Sequence, residues 1–171
     1  IEDELYVMQK DLGLYVLEEN KFVLLDEGYQ FADKVITSVI KFANRNLIVT
    51  NQNGLYELST KGELIKLNVF EGVSLFSAIP INKNLISLGS TSNGIVVIDK
   101  NFNIVYNVGI EKGIIDGAIK TQFIDKEQNL WLGTNVGLTK IEIGSPILKF
   151  DLTSGLRSGI QSISKYINWK M

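Results

Sequence analysis

The sequence predicts an all-β chain of about four similar units, each with four antiparallel strands and near 40 residues long. Three observations carry this. Short apolar runs are bounded by Gly, Asn and Asp, the pattern of strands and turns. No segment keeps an i, i+3, i+4, i+7 apolar stripe over three turns, as a packed helix would. A glycine that opens a strand recurs at Gly13-Leu-Tyr, Gly54-Leu-Tyr, Gly94-Ile-Val and Gly137-Leu-Thr, at separations of 41, 40 and 43 residues.

Two further anchors keep the same order. Asn-Leu pairs stand upstream at Asn46-Leu47, Asn84-Leu85 and Asn129-Leu130, with Glu4-Leu5 as a degenerate first copy. Before each pair an apolar strand ends near Ile40, Ile79 or Ile124, and again near Ile163. This period matches β-propeller blades, four-stranded units of about 40–45 residues. The units are 1–34, 35–72, 73–116 and 117–157, and 158–171 starts another blade.

In chain order, 4–9 and 13–18 form the first hairpin, and Phe22–Asp26 is its outer strand. Val35–Phe42 is the next innermost strand. Asn46–Thr50 and Gly54–Ser59 pair across Asn53-Gly54, a strong hairpin turn signal, and Leu64–Asn68 lies outside them. The third unit runs Leu75–Ile81, Asn84–Gly89, Gly94–Asp99 and Ile104–Val108. Pro80 cannot donate to a ladder, so that strand is expected at an edge beside a central channel. The fourth unit is Ala118–Asp125, Asn129–Gly133, Gly137–Ile143 and Ile147–Asp151, and Ile160–Tyr166 repeats the innermost pattern.

The strands are therefore out of phase with the blades, and the chain reads as a fragment of a longer protein. Propellers close so that no blade face stays open. A four-repeat piece is expected to be a partial propeller that closes on itself or associates through its open edges as a homodimer. Ile160–Tyr166 would complete the blade begun by Glu4–Asp26.

Composition excludes several function classes. A net charge of −2 implies no polyanion-seeking surface, so nucleic acid is not an expected partner. There are no histidines and no cysteines, which removes Ser-His and Cys-His pairs, His-ligated metals and disulfides. No catalytic residue, metal site or cofactor is expected. No apolar run approaches the roughly 18–20 residues that span a bilayer, so any membrane link runs through a parent chain.

Asp125-Lys-Glu-Gln-Asn-Leu-Trp-Leu-Gly-Thr-Asn-Val-Gly-Leu138 resembles the two-component regulator propeller repeat, D-x-x-G-N-L-W-I-G-T-x-x-G-L. Thr153-Ser-Gly-Leu-Arg-Ser-Gly-Ile-Gln-Ser-Ile163 resembles the family's linking phrase, G-L-P-S-x-x-V-x-S-I. Gln128 stands where Gly is usual and Arg157 where Pro is usual. The other three repeats keep Asn-Leu and Gly-Leu or Gly-Ile but lose Trp and Gly-Thr. The resemblance implies the sensor region of a bacterial membrane receptor, often a hybrid histidine kinase. Its propellers lie in the periplasm or outside the cell, carried by an inner-membrane receptor. They respond to nutrients, commonly glycan fragments, so a small-molecule or oligosaccharide ligand is expected. A protein-interaction scaffold without such a ligand is the alternative.

Within the repeat, Gly133 and the strand-opening glycines serve turns and close strand approach. Trp131 has two readings, stacking on a sugar or packing between blades, and burial habits favour packing. Asp125 precedes Asn-Leu, where a side chain that bonds its own backbone builds a turn. Binding residues are sought on the rim that gathers outer-to-inner connectors and central hairpin turns. Those connectors are Glu27–Lys34, Val69–Ser74, Gly109–Gly117 and Leu152–Gly159. They hold the candidate ligand contacts Tyr29, Phe31, Phe70, Glu111, Asp116 and Arg157, each of which is otherwise blade cover or solvated loop.

Overall fold

A computed structural model describes residues 5–59 and 62–143. These residues form four antiparallel sheets whose strands pair in chain order. The first sheet holds β1 (Tyr6–Gln9), β2 (Gly13–Glu18) and β3 (Lys21–Leu24). The second holds β4 (Ile36–Phe42), β5 (Arg45–Thr50), β6 (Asn53–Leu58) and β7 (Leu64–Glu71). The third holds β8 (Leu75–Pro80), β9 (Leu85–Ser90), β10 (Ile95–Asp99) and β11 (Ile104–Val108). The fourth holds β12 (Thr121–Ile124), β13 (Asn129–Gly133) and β14 (Leu138–Glu142). The expected strands Ile147–Asp151 and Ile160–Tyr166 lie outside the described residues.

The sheets stack because each strand alternates its side chains between two faces, and both faces of the middle sheets are apolar. Leu14, Ile48 and Tyr56 join the first sheet to the second. Leu47, Val49 and Leu55 meet Ile86, Leu88 and Ile98 between the second and third. Ile95 and Val97 meet Leu130 and Leu132 between the third and fourth. A fully buried side chain of this kind contributes about 1.5–3 kcal/mol of transfer free energy. Strand β8 packs beside both β4 and β12, so the first strands of successive sheets lie together. Pro80 ends β8, an edge strand, where its missing N–H costs no ladder bond.

Hydrogen bonds also cross between sheets. Ser87 Oγ donates to Gln122 Oε1 at 2.6 Å, and Gln122 Nε2 donates to Ser77 O at 3.2 Å and to Ser77 Oγ at 3.0 Å. The Ala78 N–H donates to Ser38 Oγ at 3.1 Å.

Two expectations need correction. Residues 69–71 are not loop, because β7 continues to Glu71 through a bulge. Asn53 there faces Glu71 while Leu55 faces Leu67, and Phe70 adopts φ 58°. Phe70 is half-buried against the second core layer. The connector after β3 folds back as a 3-10 turn, Gly28–Phe31, and inserts Phe31 into the core. Phe31 is 0% exposed, with its ring 4.8 Å from that of Tyr56 in an edge-on pair.

Candidate functional site

The connectors between sheets and the central hairpin turns share one rim. Asp11 N–H donates to Ala32 O at 3.0 Å, tying the first connector to the β1–β2 turn. Gly72 N–H donates to Gln52 O at 2.9 Å, and Leu75 N–H to Asn51 O at 2.8 Å. Gly94 N–H donates to Gly117 O at 2.8 Å. The rim expected from sequence to carry binding residues is thus a continuous, hydrogen-bonded belt.

On that belt Tyr29 is 66% exposed. Glu111 is exposed within the short 3-10 turn Ile110–Lys112. Asp116 works as a tie. Its Oδ1 accepts from Ala118 N–H at 3.1 Å and its Oδ2 from Asn135 N–H at 3.3 Å, which pins the connector to the β13–β14 turn. Phe31 and Phe70 belong to the packing described above, and Arg157 lies outside the described residues. Of the five candidates within the described residues, Phe31 and Phe70 serve packing, Asp116 ties two turns together, and Tyr29 and Glu111 are exposed. An open depression lined by Glu18, Glu19, Lys21 and Val23 lies at the β2–β3 turn, at the other end of the first sheet. Its lining is exposed and belongs to one hairpin.

Trp131 and Asp125 form one unit. Asp125 Oδ2 accepts from Trp131 Nε1 at 2.8 Å, and Oδ1 accepts from the N–H groups of Glu127 and Asn129, both at 2.9 Å. Asn129 Nδ2 donates to Asp125 as well. Donation by Trp131, then by Asn129, lowers the Asp125 carboxyl to about 2. Asp125 therefore builds the turn and fixes the indole. Asn82 does the equivalent work before β9, its Oδ1 accepting from Asn84 and Leu85 N–H at 2.8 and 3.0 Å.

The strand register also shows a repeat that the Asn-Leu anchors obscure. Thr50 Oγ1 donates to Gly54 O at 2.7 Å, Ser90 Oγ to Gly94 O at 3.0 Å, and Thr134 Oγ1 to Gly137 O at 2.9 Å. Val49, Gly89 and Gly133 then occupy one position, opposite Ser38, Ser77 and Thr121. On this alignment Trp131 corresponds to Leu47 and Ser87, and the Asn-Leu pairs are out of step by one or two residues. Both counterparts are 0% exposed between sheets. A hydroxyl three or four residues before three of the four repeat glycines, Gly54, Gly94 and Gly137, is the signal in sequence that points to this.

No family model matches the chain, and no curated protein matches it in sequence. Its fold is similar to the extracellular domain of BT3049 from B. thetaiotaomicron, assigned as a hybrid two-component system. That match has a TM-score of 0.58 at 19% identity and covers 82% of this chain and 19% of that one. The extracellular domain of BT4673 from the same organism, assigned in one structure as a one-component and in another as a hybrid two-component system, is also similar. The two structures give TM-scores of 0.66 and 0.64 at 19% and 18% identity, over 84% and 81% of this chain and 21% and 20% of theirs. The chain spans about one fifth of the length of these structures.

Proposed function

We propose that the chain is a run of consecutive blades from a larger β-propeller, within the periplasmic or extracellular sensor region of a bacterial two-component receptor. One observation carries the ring. Ile40, Leu47 and Leu55 lie across the forward face of the second sheet, and Ile79, Ser87 and Ile95 across that of the third. Leu47, Leu55, Ser87 and Ile95 are each 0% exposed beneath the following sheet. Phe123, Trp131 and Leu138 occupy the same places on the fourth sheet, yet Phe123 is 62% and Leu138 69% exposed. An apolar face built to the same plan calls for a further blade. The units 1–34, 35–72, 73–116 and 117–157 are the blades on this reading, and 158–171 opens the next.

The sensor role draws support from the fold likeness to extracellular domains of such systems. Ligand contacts on the rim would bias one arrangement of the ring over another and so reach the signalling domains of the parent. The ligand class proposed is an oligosaccharide, and the chain itself carries no catalysis. The chain has no cysteine, so Lys83→Cys gives the full-length receptor a single label in this region. A membrane-impermeant maleimide should reach it once the outer membrane is permeabilised. Labelling only after the inner membrane is lysed would rule the reading out.

One feature favours a protein-interaction scaffold instead. The outer strand β11 exposes Ile104 at 63% and Val105 at 50%, and it carries no charged residue. Such an edge can accept a partner's strand.

A further inference from the structure

Three places on the inner edges of the sheets stand out by their backbone. In β4 the ladder slips between Ile36, opposite Thr50, and Ser38, opposite Val49, leaving Thr37 as an extra residue. In β8 it slips identically between Leu75, opposite Ser90, and Ser77, opposite Gly89, leaving Phe76. Before β12, Lys120 N–H donates to Gly133 O at 2.9 Å although Thr121 already faces Gly133. Lys120 is the third extra residue. A bulge of this kind re-aims one side chain without breaking the sheet.

The residues around the three bulges are held to type. The preceding residue is Ile36, Leu75 or Ile119, and the last two are 0% exposed. The following residue is Ser38, Ser77 or Thr121, and both serines bond across to the neighbouring sheet or its connector. Packing and hydrogen bonding thus hold both neighbours at the first two bulges, and at the third Ile119 is buried while Thr121 is exposed; the bulge position itself changes from hydroxyl to aromatic to cation. All three lie at the rim end of strands that pack beside one another. Lys120 Nζ sits 4.0 Å from the centroid of the Phe76 ring, so two of these side chains meet across sheets. Lys120 makes no ion pair among the described residues, and its charge is open to a ligand.

We infer that Phe76 and Lys120 form a binding site for a sugar acid, at the rim end of the inner strands. When the ammonium swings from the ring to the carboxylate of a uronate, it becomes a charged donor and uncovers the ring face it lies over, which then takes the C–H side of the pyranose. The inference rests on the sensor reading and deepens it, because it selects uronates among the oligosaccharides. A contact that only ties two sheets together would show the same 4.0 Å geometry, so the test reads ligand charge.

Digalacturonic acid and its dimethyl ester, titrated calorimetrically into this chain, differ in little but the carboxylates. The acid should bind at least about tenfold more tightly than the ester, the gap expected of one charge-assisted hydrogen bond. Lys120→Met should remove that preference, Lys120→Arg should keep it, and Phe76→Ala should weaken both probes. Lys83→Met, at an exposed turn, should change neither. Equal binding of acid and ester, or unchanged acid binding by K120M, would overturn the site while leaving sugar sensing intact. Binding of neither probe would overturn it too, and the maleimide experiment would still decide the sensor reading independently.

Discussion

The open forward face of the fourth sheet can be tested by comparing one repeat position in two sheets. Leu55 and Leu138 each follow a repeat glycine and point the same way along the stack. Leu55 is 0% exposed and Leu138 is 69% exposed. Leu55→Ala removes buried methyl groups and leaves a cavity, at a cost of about 2–5 kcal/mol. Leu138→Ala removes a side chain with less than a third of its surface covered, so only about 0.5–1 kcal/mol of transfer energy is lost and no cavity forms. Urea unfolding followed by tryptophan emission measures both. With m near 1–3 kcal/mol per molar, the Leu55 variant should unfold at a midpoint lower by about 1–3 M, and the Leu138 variant close to wild type. In a longer chain that includes the next repeat, the Leu138 substitution should become as costly as the Leu55 one. Equal, large costs in the 171-residue chain would show that Leu138 is already covered. A small cost at Leu138 in both chains would refute the continued ring.

Other perturbations test individual elements. The Asp125 carboxyl lies below its ordinary value of 3.8, at about 2, so its ionised form stabilises the fold above that ordinary value. This contribution is lost as pH falls toward 2; in a Trp169→Phe background, Trp131 emission and melting temperature should both change across that window. Asp125→Asn should flatten that change, and an unaltered profile would mean that the Asp125 carboxylate does not fix the indole. Gln122→Ala strands Ser87, which is 0% exposed, and should cost about 1–3 kcal/mol by chemical denaturation. Gly94 and Gly113 both adopt positive φ, 74° and 99°, but only at Gly94 would a Cβ collide with backbone, at Val108 O. Gly113→Ala should cost about 1–2 kcal/mol and Gly94→Ala more, so equal melting temperatures for the two variants would contradict the close approach at Gly94.

Strand positions were legible because alternation and turn residues are local signals. Asn93-Gly94 announces its hairpin by what glycine permits and lies between β9 and β10, while Asn53-Gly54 marks the same turn one step late, as the first two residues of β6. The misplacements share one cause, which is that contacts distant in sequence decide them. Phe31 read as a loop aromatic because nothing near it says that the connector folds under the sheet to meet Tyr56. Phe70 read as loop because a bulge can carry a strand through a residue of positive φ without any letter to mark it. The bulges at Thr37 and Phe76 are invisible for the same reason: register exists only once two strands pair.

The clearest case is the repeat itself. Asn-Leu looked like its constant feature, yet Asn46, Asn84 and Asn129 stand at different distances from the hydroxyls of Thr50, Ser90 and Thr134. What recurs is an oxygen that closes the central hairpin. It donates to the carbonyl of the glycine that follows, and in Thr50 and Ser90 it also accepts from the N–H of Asn53 and Asn93. Thr and Ser are interchangeable for that bond, and the turn tolerates one residue fewer at Thr134. The same bond is therefore made by different letters at different spacings. The asparagines answer to a different turn at the far end of the strand, where Asn82 and Asp125 set the length. The two turns nearly offset each other, so the stretch from inner strand to glycine stays at 18, 19 and 18 residues (Ile36 to Gly54, Leu75 to Gly94, Ile119 to Gly137). The glycine spacings of 41, 40 and 43 are set by the outer strand and connector, which take 23, 21 and 25 residues from glycine to the next inner strand (Gly13 to Ile36, Gly54 to Leu75, Gly94 to Ile119).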